Sequence, residues 1–293
     1  MIRFTIYTYL FKPINEPQEP DMFAPEVNVE ESMARKLEIF GDFFNADSTL
    51  KFHRGSQRFD HLIVGQREGI IVMQIANNTQ QVHEKEFNRW TEEDHPSLYV
   101  LIDNRTDGKQ VIAIENRPQA FSETRTVAKI MEESFNRHLQ AQRLQLQINA
   151  KYHTHEFWDV VSQYENGIAS VTFKFPYPNL PEISDLVGDF YTDLARRTNS
   201  EPKTTLTSPP KEKMVLEQGD IIIEQMIKAA SASGKLIMMR PKGAQKWRRI
   251  GLETPAQEEF TEQALKGLEH QELIPRKWMA IEEFLDKIQT VYV

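Results

Sequence analysis

The alternation of apolar and polar residues predicts several β-strands in the first half of the chain. Residues 2–11 alternate as a half-buried strand does. Two further segments, 61–75 and 97–115, each hold two apolar runs around a polar turn, and the second turn contains Asp107-Gly108, a strong short-range hairpin signal. We therefore expect a meander of antiparallel strands.

Apolar residues at helical spacing follow this meander. The stripe consists of Val127, Ile130, Met131, Ser134, Phe135 and Leu139. The other face of the predicted helix is charged, and Ser122 precedes it as a candidate N-cap residue. A helix of this kind covers a sheet, so we predict an α+β fold in which a mostly antiparallel sheet of hairpins is covered by helices.

The second half of the chain predicts a second unit of mixed structure. It follows a glutamine-rich connection at 140–147 and holds predicted strands at 169–175 and 235–240. We therefore expect two subdomains. Residues 1–150 form the antiparallel-sheet subdomain, and residues 151–293 form an α+β subdomain with a basic hairpin and C-terminal helices.

Composition narrows the classes of protein. The chain has 293 residues, 40% of them hydrophobic, a net charge of -8 and no cysteine, so disulfides, thiolate metal sites and cysteine nucleophiles are excluded. The opening residues lack the features of a signal peptide, and no segment reads as a membrane span. A cytoplasmic location is therefore expected. No glycine-rich phosphate loop and no nucleophile elbow is visible, and we predict no cofactor.

One segment departs from the acidic balance of the chain. Between Glu224 and Glu253 there is no carboxylate. The same segment carries seven cations, which are Lys228, Lys235, Arg240, Lys242, Lys246, Arg248 and Arg249. Trp247 lies among the last three. A cationic surface on an acidic protein indicates a polyanionic partner.

The basic segment predicts a hairpin that contacts nucleic acid through phosphates and a stacking aromatic. The predicted contact residues are Lys235, Arg240, Lys242, Lys246, Trp247, Arg248 and Arg249. Lys203, Lys211 and Lys213 are a possible extension of this surface. Two alternatives stay open: a solvated hairpin whose tryptophan packs inward, and an interaction subunit that docks an acidic protein partner.

A second hypothesis concerns Asp103, Glu115 and Arg117. An acidic residue at a strand end, followed one hairpin later by Glu-x-basic, resembles the metal site of restriction-type nucleases, where two carboxylates hold Mg²⁺. That pattern has lysine where this chain has Arg117. An arginine stays protonated and cannot take a proton from water, which weakens the interpretation as a Mg²⁺-dependent nuclease.

The order of predicted elements resembles that of the RexA-type exclusion proteins of phage lambda and, more loosely, other DNA-sensing components of bacterial anti-phage systems. The similarity covers about the first 140 residues. It rests on the strand at 4–7, the hairpin at 69–75 running into 77–82, the run at 97–103, its return at 111–116, and Ser122 followed by a helix. The resemblance implies a dimeric, non-enzymatic sensor that binds duplex DNA and acts with a separate effector protein.

Overall fold

The computed structural model of the chain describes residues 1–14, 27–45, 48–106, 108, 110–164, 167–177, 188–251, 255–266 and 274–291. Helices and antiparallel sheets together make an α+β fold, as predicted. Both predicted hairpins of the first half are confirmed by pairing of 61–67 with 70–75 and of 100–103 with 111–114. Of the predicted turn in the second hairpin, Gly108 is described and Asp107 lies outside the described residues.

The strands and helices in the described part of the chain have the following bounds. The strands are β1 (Ile2–Pro13), β2 (Phe52–Arg54), β3 (Gln57–Phe59), β4 (His61–Arg67), β5 (Ile70–Ala76), β6 (Thr79–Lys85), β7 (Asn88–Asp94), β8 (Ser97–Asp103), β9 (Val111–Glu115), β10 (Leu144–Ala150), β11 (Ile168–Lys174), β12 (Lys203–Thr207), β13 (Ile237–Pro241), β14 (Arg248–Ile250) and β15 (Gln257–Phe260). The helices are α1 (Val29–Ala34), α2 (Lys36–Asp42), α3 (Thr124–Leu139), α4 (His155–Ser162), α5 (Asp189–Thr198), α6 (Ile221–Ala232) and α7 (Ile274–Val291).

The larger sheet has the strand order β10-β1-β9-β8-β5-β4, and β15 also pairs with β1. Side chains alternate across it. Tyr7, Tyr9 and Phe11 of β1 join a buried cluster with α2 and α3 on one face, whereas Phe4 and Ile6 join a second cluster with α7 on the other face. Apolar side chains therefore cover both faces of this sheet.

Helix α3 buries the predicted stripe. All six predicted positions are buried, so the 3.6-residue spacing identified the covered face correctly. Within this face, the Ser134 hydroxyl donates to the Ile130 carbonyl at 2.6 Å and accepts from the His53 amide at 2.9 Å, which holds β2 against the helix. The prediction that Ser122 caps the helix was wrong, because Glu123 precedes the first turn and its side chain makes no capping hydrogen bond.

The smaller sheet has the order β12-β11-β13-β14, and all its pairings are antiparallel. Val171, Phe173, Ile237, Met239 and Ile250 are buried in one cluster with residues of α4 and α6. These helices therefore cover one face, which we call the inner face. Strands β11 and β13 correspond to the runs predicted at 169–175 and 235–240.

The C-terminal part of the chain returns to the larger sheet. Strand β15 pairs with the first residues of β1, and Trp278, Ile281 and Leu285 of α7 pack against that sheet. The sequence analysis had assigned these residues to the second subdomain, because nothing local signals a partner strand about 255 positions away. That the two sheets form separate subdomains stays a prediction.

Within the described residues, no helix combines the length and the apolar character needed to cross a membrane.

Candidate nucleic-acid interface

The outer face of the smaller sheet, opposite the face that α4 and α6 cover, carries polar and cationic side chains in register. Strand pairing arranges them in three rows. The first row is Thr207, Ser170 and Arg240, the second is Thr205, Thr172, Met238 and Arg249, and the third is Lys203 and Lys174. Because side chains alternate along a strand, all of these residues face away from the apolar cluster.

Hydrogen bonds between hydroxyl groups connect β11 and β12 on this face. The hydroxyls of Ser170 and Thr207 lie 3.2 Å apart, and those of Thr172 and Thr205 lie 3.0 Å apart. The β11 hydroxyls are almost fully covered, while Thr205 and Thr207 are exposed. A hydroxyl has one proton and two lone pairs, so the exposed threonines keep hydrogen-bonding capacity for a ligand.

Arg240 extends the first row toward the sheet edge. One of its terminal nitrogens donates to the Ser170 hydroxyl at 3.2 Å, and its guanidinium carbon lies 5.5 Å from the centroid of the Trp247 ring. Its Nε is buried and has no hydrogen-bond partner among the described residues. A buried donor without a protein partner is uncommon in folded proteins, and this N–H can donate to a water or ligand oxygen.

The charge of this sheet has one sign. Its four strands contain Lys174, Lys203, Arg240, Arg248 and Arg249 and no carboxylate. Lys174 lies directly opposite Lys203, and like charges in that position destabilise a sheet. In the part of the chain that the structure describes, neither lysine and neither of the two arginines on β14 forms an ion pair.

Three of the predicted contact residues share the outer face. Arg240 and Arg249 lie on it by register, and Trp247 lies against Arg240. Lys246 is exposed in the turn between β13 and β14, while the ammonium of Lys242 donates to the Glu212 carbonyl at 3.1 Å. The predicted surface is therefore only partly assembled.

Two predicted residues lie elsewhere. The side chain of Arg248 is on the inner side of the sheet, with its guanidinium 5.8 Å from the Tyr164 ring centroid. The prediction that Lys235 contacts nucleic acid was wrong. Its ammonium is largely buried and donates to Gln147 at 2.8 Å and to Glu201 at 2.9 Å. Lys235 precedes β13, which begins at Ile237, and its charge is used to bind the two sheets together.

The sequence analysis missed Lys174 and treated Lys203 only as an extension. Both lie on the outer face, 29 positions apart in sequence and opposite each other in space. The alternation of β11, in which Ser170, Thr172 and Lys174 alternate with apolar residues, carried the signal for Lys174. Lys211 and Lys213 follow β12 and are outside the four strands.

The carboxylates of the nuclease hypothesis are not brought together. Asp103 is the last residue of β8 and Glu115 is the last of β9, at opposite ends of an antiparallel pair, where four residues of strand separate them by about 13 Å. Arg117 donates to the Ser97 carbonyl at 2.6 Å. Across the described ranges, no group of three His, Asp or Glu side chains is placed to hold a metal ion.

Asp103 instead holds helix α7 to the larger sheet. Its side chain is fully buried and accepts two hydrogen bonds from the Arg105 guanidinium, at 2.9 and 2.7 Å, and one from Gln289. Arg105 also donates to Asp286 of α7 at 2.7 Å. These carboxylates hold the pKa of Arg105 above its ordinary value.

Glu115 is buried at the other end of the hairpin. Its carboxylate accepts the Tyr99 amide at 2.9 Å. Burial raises the pKa of Glu115 because desolvation disfavours the charged form, while the Tyr99 hydrogen bond and Arg117 act in the opposite direction. The residue therefore caps a strand end in place of binding Mg²⁺ with Asp103.

Comparison of the chain with protein-family models and with curated proteins finds no match.

Proposed function

We propose that the protein binds DNA through the outer face of the smaller sheet. The observation that carries the proposal is the set of cations and hydroxyls arranged in rows across four strands that contain no carboxylate. Lysine, arginine, serine and threonine are the side chains that contact phosphate oxygens in nucleic-acid complexes. On a chain with a net charge of -8, a surface of this kind favours a polyanion.

The spacing of the face suits a phosphodiester chain. The four strands span about 14 Å, and the first and third rows lie about 13 Å apart along the strands. Lys174 and Lys203 lie at one end of the face, with Arg240 and Arg249 toward the β14 edge. The exposed Thr205 and Thr207 lie on β12, at the edge opposite β14, in line with Lys203. Such a face contacts a few phosphates, so we expect modest affinity with a clear dependence on salt.

Duplex DNA is the favoured ligand. Single strands are typically held by several aromatic side chains that stack on successive bases. Here a single tryptophan, Trp247, lies at the edge of the face, and apart from Met238 the described side chains of the outer face are hydroxyls and cations that suit phosphates. The side chains of this face therefore favour contact with the DNA phosphate backbone. Such contact does not require unpaired bases.

A salt titration tests the proposal. The affinity for a fluorescently labelled duplex is measured by anisotropy at several salt concentrations, with a single strand of the same sequence as a second probe. We expect log affinity to fall linearly with log salt, because bound cations release counterions. Arg249→Ala and Lys203→Ala should each reduce the magnitude of the slope by about one.

The matched control is Arg67→Ala. Arg67 is an exposed arginine of β4 on the larger sheet, paired with Glu68 at 3.3 Å, so its removal should leave the slope unchanged. Affinity that does not depend on salt, or an equal loss in Arg67→Ala and Arg249→Ala, would contradict binding at the outer face. If the single strand binds more tightly than the duplex, the ligand is single-stranded DNA with a base stacked on Trp247, and the preference for duplex DNA is wrong.

The wider role rests on the resemblance to RexA-type exclusion proteins. As part of this proposal, the protein is a non-enzymatic, dimeric DNA sensor of an anti-phage system, and it acts in the cytoplasm with a separate effector protein. Co-purification with the product of a neighbouring gene, and loss of phage protection in Lys203→Ala and Arg249→Ala but not in Arg67→Ala, are the expected results.

A further inference from the structure

A two-stranded ribbon, which we call the arm (79–94), is formed by β6 and β7. These strands pair with each other and with no other described strand. Every described side chain from Glu84 to Glu93 is exposed. An isolated hairpin is at best marginally stable in water, so an exposed ribbon of this length is typical of a segment that is completed by a partner.

The tip of the arm is apolar and strained. Its two-residue loop is Glu86-Phe87, and both residues have positive φ, 53° and 66°. Asn and Gly are the residues that suit this loop geometry, and an aromatic residue there costs conformational energy. The Phe87 side chain is nevertheless 97% exposed, and Trp90 behind it, stacked on His83, is 48% exposed. Two unburied aromatic side chains on one ribbon indicate a docking element.

The charge of the arm is negative. It carries five carboxylates, those of Glu84, Glu86, Glu92, Glu93 and Asp94, and two cations, Lys85 and Arg89. A net charge of about -3 repels both DNA and an anionic membrane surface. The arm therefore fits a partner with an apolar cavity and a cationic rim.

The same chain contains a groove with these properties. It lies along β14, has a volume of about 700 Å³, and includes the apolar side chains of Val160, Trp247 and Ile250. Its rim carries Lys246, Arg248 and Arg249, against one carboxylate, that of Glu156. We call it the β14 groove. Its charge is opposite to that of the arm, and its apolar floor is suited to an inserted aromatic ring.

We propose that the arm of one copy of this protein docks in the β14 groove of a second copy, with Phe87 inserted between the cations of the rim. Both halves of the contact are present on every chain: a ribbon whose strands pair with no other described strand, and an open groove along β14. The contact is heterologous, since two different surfaces meet. The groove shares Trp247 and Arg249 with the DNA face, whereas the arm lies outside that face. Self-association through the arm therefore does not require DNA, and substitutions in the arm separate the two proposals.

Sedimentation velocity over a range of protein concentrations tests self-association, with nuclease-treated protein so that DNA does not bridge copies. The wild type should associate in low salt and dissociate as salt rises. Phe87→Gly should weaken association at least tenfold, because buried aromatic anchors dominate interfaces. This substitution also relieves the positive φ, so the arm keeps its fold. Lys246→Glu with Arg248→Glu should weaken association similarly.

Mixing the two variants gives the decisive result. The arm variant keeps an intact groove and the groove variant keeps an intact arm, so a mixture should form a one-to-one heterodimer although each alone is monomeric. Ser56→Ala, an exposed change in the β2–β3 turn, serves as the control and should associate like the wild type. A monomeric wild type at all concentrations, undiminished association of Phe87→Gly, or a mixture without heterodimer would each overturn the proposal.

Failure of this experiment is distinguishable from failure of the proposed function. Phe87→Gly leaves every cation of the outer face in place, so it should bind labelled duplex with the salt slope of the wild type. Conversely, Lys203→Ala should lose slope without any change in self-association.

Discussion

The larger and the smaller sheet differ in how many of their faces are covered by apolar side chains. In the larger sheet, α2 and α3 cover one face and α7 covers the other. In the smaller sheet, the apolar cluster with α4 and α6 lies on one face, and the opposite face carries hydroxyls and cations. A residue type thus has a different consequence in each sheet.

The buried charged groups in and beside the larger sheet hold the fold together. Asp103, Arg105 and Asp286 bind one another and fix a helix, and Glu115 binds a strand amide. In the smaller sheet, Lys174 and Lys203 repel each other across a strand pair with no acid among the described residues to neutralise them. The comparison teaches that the charges left unused by the fold, more than the density of charge in the sequence, identify the surface available to a ligand.

The largest expected effect comes from breaking the charge network of the larger sheet. Arg105→Ala leaves the fully buried carboxylate of Asp103 without its cation, and loss of one partner of a buried pair typically costs about 3–5 kcal/mol. Urea denaturation measures the change in the free energy of unfolding. Arg67→Ala, which removes an exposed pair, should cost about 0–1 kcal/mol, and an equally small loss in Arg105→Ala would show that the network is not stabilising.

Replacement of Glu115 should change the free energy of unfolding by less than Arg105→Ala does, and should increase it. Its folded-state pKa is raised by burial, so the folded protein holds this proton to higher pH than the unfolded chain does, and stability falls as pH rises through the folded pKa. Glu115→Gln keeps an acceptor for the Tyr99 amide without the charge. The free energy of unfolding at pH 7 should therefore rise by up to about 1 kcal/mol.

The pH profile checks the cause of that change. The difference between Glu115→Gln and the wild type should shrink as pH falls and the wild-type carboxyl becomes protonated in both states. A difference that is constant from pH 4 to pH 8 would mean that packing, and not the buried charge, is responsible.

The smallest expected change in stability comes from the like-charge pair in the smaller sheet. Lys174→Thr removes the like-charge contact with Lys203 and introduces a residue suited to strands, so stability should rise by about 0.2–1 kcal/mol. DNA affinity should fall at the same time. Lys203→Thr should act alike, and the double variant should gain less than the sum of the two, because the repulsion is lost only once. Additive gains would contradict a direct contact between the lysines.

Local patterns predicted the elements that local physics decides. The stripe of α3 was readable because one face of a helix recurs every three or four residues, and the hairpins were readable from turn residues between apolar runs. The return of β15 to β1 was not, since pairing of residue 2 with residue 260 leaves no mark in either segment.

The candidate site was only partly predictable for the same reason. Arg240, Trp247 and Arg249 come together because one hairpin places them on one face. Arg248 points to the inner face because neighbouring side chains in a strand point to opposite faces of the sheet. Lys235 is close in sequence to the site but is drawn away by Glu201, and Lys203 joins it only through the pairing of β11 with β12.

Pairing of β1 with β15 also has a consequence for biosynthesis. The edge at residues 2–5 receives its partner only after residues 257–260 have left the ribosome. During translation the amides and carbonyls at this edge of β1 therefore have no strand partner, and they lie beside an apolar surface. This condition favours chaperone binding. Folding of the larger sheet is accordingly expected to finish after synthesis, and slowly, because contacts of such long sequence separation form late.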